Sequence, residues 1–203
     1  MKRFILSLFF PATIIGAAIL AIGTNCGAAS VPPVTAACDT SNSKFIQLYN
    51  TQSGTEFNTY QAKVFEYSFK SSVNGTLCSF GYQGVPAING FAYYKIELLN
   101  ASNSVLATGT YSFNSASRSY RTPSPSVAIT ANVDYKVRRT LIDNLGNVNN
   151  DVCWFKQIPA PFAPITVGTM TITGTATYTY GTGGALVNTS TNGILPCIDI
   201  VLQ

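Results

Sequence analysis

The chain has 203 residues, of which only 10% are charged and none is histidine. The absence of histidine excludes Ser-His-Asp and Cys-His catalytic sites and two-histidine metal sites. The net charge is +4, and it falls to +2 without Lys2 and Arg3, which leaves ten basic residues against eight acidic ones. That charge is too weak and too scattered for a nucleic-acid surface, and the length suits one all-β domain with its own core.

Residues 1–25 predict a secretory signal peptide. Lys2 and Arg3 precede an apolar run from Phe4 to Ile22, and small polar residues follow. A basic start, an apolar stretch and a small-residue region are the three parts of such a leader. An uncleaved membrane anchor is the alternative, because about 20 apolar residues span a bilayer.

Cys26 lies where a bacterial lipoprotein carries its lipidated cysteine, directly after the apolar run. Gly23 and Asn25 differ from the usual residues of that motif. Cleavage after Ala29 is the competing interpretation, and it would remove Cys26 with the leader. Lipidation at Cys26 and its loss with the leader both stay open at this point.

Four further cysteines, Cys38, Cys78, Cys153 and Cys197, predict two disulfides in an exported chain. Four cysteines allow three connectivities. We favour Cys38 with Cys197 and Cys78 with Cys153, because Cys38 precedes the first predicted strand and Cys197 begins the last. The spacings do not resemble those of a zinc site.

Residues 26–43 are rich in Val, Pro, Ala, Thr and Ser, which predicts a flexible extended tether. The domain is predicted to span residues 44–203. Its first strands are expected at Phe45 to Tyr49, Val64 to Phe69 and Leu77 to Tyr82.

A β-hairpin is the clearest fold signal in the chain. Tyr94, Ile96 and Leu98 alternate with charged residues, as in a half-buried strand. After a turn at Asn100 to Ser104, apolar residues recur from Val105 to Phe113.

Three further patterns continue the β signal. Short strands are expected at Arg118 to Thr122 and at Ser126 to Thr130, on either side of prolines that mark an edge or a break. The next strand alternates most cleanly. Its apolar face is Val133, Tyr135, Val137 and Leu141, and its outer face is Asp134, Lys136, Arg138 and Thr140.

Thr166 to Tyr180 carries threonine at every second position from 169 to 179, with Gly174 as a candidate bulge or close approach. Ice binding and strand exchange in a fibre are two specific functions that such a row of threonines could serve. An ordinary solvent face on a strand is the simpler one, because threonine favours strands. A buried terminal strand follows at Ile198 to Leu202.

Roughly ten strands with frequent turns predict an all-β fold, a two-sheet antiparallel sandwich of the jelly-roll or immunoglobulin-like kind. A signal-peptide helix precedes it, and no other helix is expected.

The motifs C-S-F-G-Y, Y-K-I-E-L-L-N-A-S-N-S-V-L-A-T-G-T-Y, V-A-I-T-A-N-V-D-Y-K-V and L-P-C-I-D-I-V-L occur in this order. Over residues 44–203 this order resembles a bacterial extracellular β-sandwich domain family of unknown function, found in secreted and cell-surface proteins. The resemblance implies the sandwich and a surface location, with an acidic position at Asp199, and it implies no catalytic residue. The chain departs from the family at Asn100 to Ser104, where a glycine is usual, and in its extra cysteines.

A metal site is one candidate for binding. Asp143, Asn147 and Asp151 supply oxygen ligands of the kind that calcium uses. The loop lacks the order of an EF-hand, and turn-forming Asn and Asp residues explain it equally well. Apart from calcium at this loop, no cofactor is expected.

A carbohydrate site is the other candidate. Tyr120, Arg121 and Trp154 form an aromatic and basic group that would stack on sugar rings if it lies exposed at one rim. The alternative is that Trp154 is a core residue, because a single Trp in a β-sandwich is often buried in the core.

The sequence therefore predicts a non-enzymatic, exported surface binding module that is carbohydrate-binding or adhesive, with a glycan or a surface protein as its partner. A structural subunit of a surface assembly or filament is the alternative. The expected location is the outer membrane or cell surface as a lipoprotein, or the medium. The membrane would be reached only through a lipid anchor, and no nucleic-acid partner is expected.

Overall fold

The computed structural model describes residues 38–53, 56–57, 62–84, 93–143, 154–158, 164–180, 186–190 and 193–203. They belong to a unit that runs from Ala37 to Gln203. A 3-10 helix (Thr40–Asn42) and helix α1 (Lys44–Thr51) come first. The strands are β1 (Glu56–Phe57), β2 (Val64–Ser71), β3 (Gly75–Tyr82), β4 (Tyr93–Asn100), β5 (Val105–Ser112), β6 (Ser119–Arg121), β7 (Val127–Ile129), β8 (Tyr135–Asp143), β9 (Phe155–Gln157), β10 (Ile165–Val167), β11 (Met170–Tyr180), β12 (Leu186–Ser190), β13 (Ile194–Pro196) and β14 (Asp199–Leu202).

The described strands form three antiparallel sheets, which confirms the predicted all-β sandwich. The large sheet has the order β10-β11-β2-β8-β4-β5, with β12 beside β11. The small sheet has the order β14-β3-β6, and β7 pairs with the other end of β3. A third sheet has the order β1-β9-β13. Because β6 and β7 pair with successive parts of β3, the proline segment between them is the break that the sequence predicts.

The core contains an aromatic layer carried by alternate residues of the large and the small sheet. Phe65, Tyr67 and Phe69 on β2 are fully buried, as are Phe80 and Tyr82 on β3. Burial of side chains this large is the main favourable contribution to folding. The aromatic side chains at alternate positions of these strands therefore pack between the two sheets and hold them together.

The hairpin of β4 and β5 is confirmed. Tyr94 pairs with Tyr111 and Leu98 with Ala107, and the alternate residues of β4 face the core. Asn103 takes the left-handed conformation in the turn, with φ of 65°. Asparagine tolerates that conformation better than most residues, so it serves where glycine is usual.

The first predicted strand, Phe45 to Tyr49, is wrong, because these residues lie in α1. Ser43 caps the helix by accepting a hydrogen bond from the Ile46 N–H at 3.1 Å. Phe45, Leu48 and Tyr49 are buried, and their spacing places them on one face of a helix. The helix packs on β14, β10 and β11, and the Phe45 ring stacks on Tyr67 at 4.9 Å. A helix therefore closes one side of the sandwich, and the expectation of no helix outside the leader is also wrong.

The opposite side of the sandwich is closed by a strand contact. Thr108 on β5 pairs with Ser124, and its N–H donates to the Ser124 carbonyl at 3.3 Å. The edge of the large sheet is thus covered by the segment between β6 and β7.

The predicted single threonine face is wrong, although the bulge at Gly174 is confirmed. The pairing of β11 with β2 shifts register between Ile172 and Gly174. Beyond the shift, Thr175 lies opposite Tyr67 and is buried. Because side chains alternate across a strand, one extra residue moves the later threonines to the core side.

The predicted disulfide pairing is wrong. Cys38 is bonded to Cys78, with their Cα atoms 5.7 Å apart. Cys38 precedes a helix rather than a strand, so it reaches β3 instead of the end of the chain. The register of β14 on β3 skips Cys78, which lies at an irregularity between Leu77 and Ser79. The predicted pairs Cys38 with Cys197 and Cys78 with Cys153 are thus replaced by Cys38 with Cys78, and Cys153 lies outside the described residues.

Several predictions fall outside the described residues: the signal-peptide helix at 1–25, lipidation at Cys26, Asn147 and Asp151. Residues 38–43, at the end of the predicted tether, contain the 3-10 helix and the disulfide to β3. Across the part of the chain that is described, no helix is long and apolar enough to cross a membrane.

Candidate functional site

A row of three residues crosses the small sheet on the face opposite to Phe80 and Tyr82. Gly81 on β3 pairs with Asp199 on β14 and with Tyr120 on β6. The Tyr120 hydroxyl donates to Asp199 Oδ2 at 2.9 Å. A side chain from one outer strand thus reaches the other outer strand over the middle one.

Gly81 makes this reach possible. A Cβ atom at Gly81 would lie 2.5 Å from Cε1 of Tyr120 and 2.9 Å from Cβ of Asp199. Real Cβ atoms do not come so close to another heavy atom, so any side chain at position 81 would displace the tyrosine ring. The glycine is required by packing, which the sequence alone does not reveal.

Helix α1 contributes the second donor. The Ser43 hydroxyl donates to Asp199 Oδ1, while the same oxygen accepts the Ile46 N–H. Asp199 is fully buried, and each of its carboxylate oxygens accepts a hydrogen bond. Ser43 therefore joins the start of α1 to the last strand.

A basic residue lies beside this carboxyl group. Arg118 precedes β6, and its Nη2 donates to Sγ of the buried Cys197 at 2.7 Å. The Cys197 N–H in turn donates to the Trp154 carbonyl at 2.7 Å. We call Ser43, Gly81, Arg118, Tyr120, Cys197 and Asp199 the Asp199 cluster.

The electrostatics of the cluster follow from burial. Removal from water raises the pKa of Asp199 from 3.8 to about 6, against the lowering by its hydrogen bonds from Ser43 and Tyr120 and by the charge of Arg118. Burial, together with the neighbouring Asp199, raises the pKa of Tyr120 to about 12. Burial also raises the pKa of Tyr67, whose hydroxyl donates to the Ile198 carbonyl at 2.8 Å. Asp199 is thus an acid that titrates near neutral pH, while both tyrosines keep their protons.

Two of the three predicted sugar-binding residues lie at the same end of the small sheet. Tyr120 and Trp154 are both half-buried. Trp154 Nε1 donates to the Gly84 carbonyl at 3.4 Å, just beyond the end of β3. Arg118 and Cys197 connect these two residues. Arg118 contacts Tyr120 and donates to Cys197, and the Cys197 N–H donates to the Trp154 carbonyl. We call Tyr120, Trp154 and Arg118 the aromatic rim.

Arg121, the third predicted residue, points elsewhere. Its guanidinium donates to the Ser112 carbonyl at 3.0 Å and lies 5.5 Å from the centre of the Phe113 ring. Residues alternate across a strand, so Arg118 shares a face with Tyr120 while Arg121 does not. The sequence prediction therefore named the wrong arginine as the basic neighbour of Tyr120.

Arg139 is the residue that the sequence analysis missed most completely. It is fully buried on the core face of β8, and its guanidinium carbon lies 4.7 Å from the centre of the Tyr94 ring. Phe65 and Tyr82 lie under it at 5.4 and 5.6 Å. The alternation of β8 is the available signal, because it places position 139 between Val137 and Leu141 on the apolar face.

The outer face of the large sheet carries a charge pair. Glu66 on β2 is buried, and Oε2 lies 2.6 Å from Nη2 of Arg138 on β8. Lys136 lies 4.0 Å from the same carboxylate, and the Tyr178 hydroxyl lies 3.5 Å away. The predicted charged outer face of β8 is thus confirmed for Lys136 and Arg138.

Within the described residues, no group of three or more His, Cys, Asp or Glu side chains converges to hold a metal ion. Of the predicted calcium ligands, Asp143 is the last residue of β8 and the other two lie outside the described part. The calcium site therefore stays a prediction.

No protein-family model matches the chain, and no curated protein matches it. The resemblance to a bacterial extracellular family therefore stays a prediction.

Proposed function

We propose that the protein is an exported, non-enzymatic binding module whose aromatic rim takes a carbohydrate ligand. The observation that carries the proposal is the pair of half-buried rings, Tyr120 and Trp154, each fixed by a hydrogen bond from its own polar atom. Aromatic faces stack on sugar rings, and side chains fixed before binding lose little entropy when the ligand arrives. Arg118 beside them adds a donor group suited to hydroxyl and carboxylate oxygens.

The carboxylates support binding rather than hydrolysis. Glycoside hydrolysis needs two carboxyl groups free to act on one bond. The acidic side chains described in this structure all have partners within the fold: Asp39 with Ser41, Glu56 with Tyr49, Glu66 with Arg138, Glu97 with Lys95, Asp134 with Lys70, and Asp199 with Ser43 and Tyr120. Their contacts suit structural roles.

The disulfide supports export. Cys38 and Cys78 are bonded, and such bonds persist in oxidising compartments outside the cytosol. Together with the predicted leader at residues 1–25, this favours a protein that functions at the cell surface. Lipidation at Cys26 would hold it there, while the alternative cleavage after Ala29 would release it.

A glycan array tests the proposed function. The full-length chain is expressed in a bacterium, and the exported protein is purified and labelled. We expect binding to a restricted set of glycans, and we expect Trp154→Ala to weaken that binding about fivefold or more, since stacking on an aromatic ring contributes about 1 kcal/mol or more. Tyr93→Ala is the matched control, because Tyr93 is an exposed aromatic residue on the large sheet.

Two results would contradict the proposal. One is the absence of binding to every glycan by a protein whose folding is shown by circular dichroism. The other is an equal loss of binding in the Tyr93 and Trp154 variants. Filaments that form with rising concentration, seen in electron micrographs of the same sample, would instead support a structural subunit of a surface assembly.

Intact-mass measurement of the exported protein tests the anchor. A mass that includes a diacylglyceryl group on Cys26 would support the lipoprotein. An unmodified chain that begins at Ser30 would refute it.

A further inference from the structure

The ring of Tyr120 lies across the surface of the small sheet. A Cβ atom at Gly81 would lie 2.5 Å from Cε1 and 2.8 Å from Cδ1 of this ring, so the ring covers the middle strand. Its hydroxyl is held at the far side by Asp199 Oδ2, at 2.9 Å. Because Tyr120 is only half-buried, the rest of the ring is open to solvent, and it forms a fixed platform on which a sugar ring can stack.

Arg118 brings a positive charge to this platform. It lies two positions before Tyr120, so the two side chains lie on the same side of the chain. Its guanidinium donates from Nη2 to Sγ of Cys197 at 2.7 Å and forms a hydrogen bond with the Tyr120 hydroxyl oxygen. A guanidinium has five N–H donors, so these two contacts leave others for a ligand. Arg118 is half-buried, and the part that reaches solvent lies beside the tyrosine ring.

Asp199, the carboxyl group beside Arg118, is closed to a ligand. It is fully buried, and its two oxygens accept hydrogen bonds from Ser43 and Tyr120. A ligand on the Tyr120 ring would therefore meet the guanidinium and the phenol rather than a carboxylate oxygen. An anionic group is the natural partner for such a surface.

We infer that the ligand of the aromatic rim is an acidic sugar, whose ring stacks on Tyr120 and whose carboxylate pairs with Arg118. The inference rests on the proposed carbohydrate function and narrows its ligand to one class. Hexuronates match it, because their carboxylate lies directly outside the sugar ring. The planar guanidinium matches the geometry of a carboxylate, and partial burial strengthens the attraction between the two charges.

A matched set of glycans tests the inference on the wild-type protein. The array carries uronate oligosaccharides of the gluco, galacto and manno series, each beside its carboxyl-reduced form, which has the same rings without the charge. We expect binding to at least one uronate and a loss of about tenfold or more after carboxyl reduction, the usual contribution of a hydrogen bond to a charged group.

The array separates failure of this inference from failure of the proposed function. Binding to neutral glycans alone, to sulfated glycans alone, or to a uronate and its reduced form with equal affinity would overturn the acidic ligand and leave carbohydrate binding in place. The absence of binding to every glycan by the folded protein would overturn both.

Arg118→Gln tests the residue that carries the preference. It removes the charge, so we expect the affinity for the uronate to fall about tenfold, to that of the reduced form. Arg121→Gln is the matched control, because Arg121 lies on the same strand, is exposed, and donates to the Ser112 carbonyl instead. Equal affinities of the two variants for the uronate would overturn the role of Arg118.

Salt dependence provides a second measurement if Arg118→Gln does not fold. Between about 50 mM and about 500 mM sodium chloride, binding of the uronate to the wild type should weaken by about threefold or more, because salt screens the charge pair. Binding of the reduced form should stay constant. The same salt dependence for both forms would show that no charge pair contributes to binding.

Discussion

The hydroxyl of Tyr120 lies 2.9 Å from Oδ2 of Asp199, although the two residues belong to strands that do not pair with each other. The strand between them has Gly81 at the crossing point. The hydrogen bond therefore ties β6 to the last strand over β3. Ser43 extends the same connection to α1, so a single buried carboxyl group on β14 joins both β6 and α1 to the last strand.

Gly81→Ala should destabilise the protein by about 1–3 kcal/mol, because the added Cβ would force Tyr120 away from Asp199. Gly174→Ala is the matched control, since an added Cβ there would meet no atom within 4 Å. We expect the control to change the free energy of unfolding by about 0.5 kcal/mol or less. Urea unfolding of both variants measures the difference, and equal losses would contradict the packing role of Gly81.

Loss of the Cys38 to Cys78 disulfide should destabilise the protein by about 4 kcal/mol, the chain-entropy value for a cross-link over a sequence separation of 40. Cys38→Ala and Cys78→Ala should each cause this loss, and the double variant should lose no more than either one. Unfolding in urea gives the free energies. Non-reducing peptide mapping of the wild type should yield the Cys38 peptide joined to the Cys78 peptide, and a Cys38 to Cys197 product would contradict the fold at the start of the domain.

Arg139→Ala should destabilise the protein by about 3–5 kcal/mol. The change removes a large buried side chain and its contacts with the rings of Phe65, Tyr82 and Tyr94. Arg121→Ala is the matched control, because Arg121 also lies over a ring but is exposed to solvent. We expect the control to lose about 1 kcal/mol or less. A similar loss in the two variants, measured by thermal or urea unfolding, would show that burial of Arg139 adds nothing.

The pH dependence of unfolding should separate wild type from Asp199→Asn. The native pKa of about 6 exceeds the unfolded value, so the contribution of Asp199 to stability is complete below pH 3.8 and is lost as the pH rises through 6. The part of this loss that Asp199→Asn removes should approach 3 kcal/mol, or roughly 1.4 kcal/mol for each unit of pKa. Parallel stability curves for the two proteins from pH 4 to pH 7 would contradict the burial of a titrating carboxyl group.

The sequence predicts those elements whose side chains alternate without interruption. In β4, Ile96 and Leu98 are buried in the core, and the charged residues Lys95 and Glu97 alternate with them on the other face. In β8, Val137 and Leu141 behave in the same way. A period of two therefore identifies both the strand and the face that it buries.

The errors arise where a local signal competes with alternation. Phe45 to Tyr49 is apolar enough for a strand, but Ser43 before it is a helix cap, and Leu48 and Tyr49 follow Phe45 at helical spacing. On β11 the threonines alternate without a break, yet the bulge at Gly174 exchanges the two faces. The predicted disulfide failed for the same reason as the first strand, since it assumed that Cys38 begins a strand.

The candidate site could be predicted only in part. Tyr120 and Trp154 were identified by residue type, and the structure places both at one end of the small sheet. Their neighbours Ser43 and Asp199 are 156 positions apart in sequence, and no local pattern connects them. Contacts of this kind depend on how the sheets and the helix pack, so they appear only in the folded chain.

Carbon-13 NMR titration of the Asp199 side-chain carboxyl group, assigned by comparison with Asp199→Asn, directly tests whether this group is buried between the last strand, β6 and α1. We expect a midpoint near pH 6, because the carboxyl group is buried beneath Ser43 and Tyr120. A midpoint near 3.8, the ordinary value for an exposed aspartate, would show that Asp199 is open to water and that α1 is not fastened to β14 in the way described.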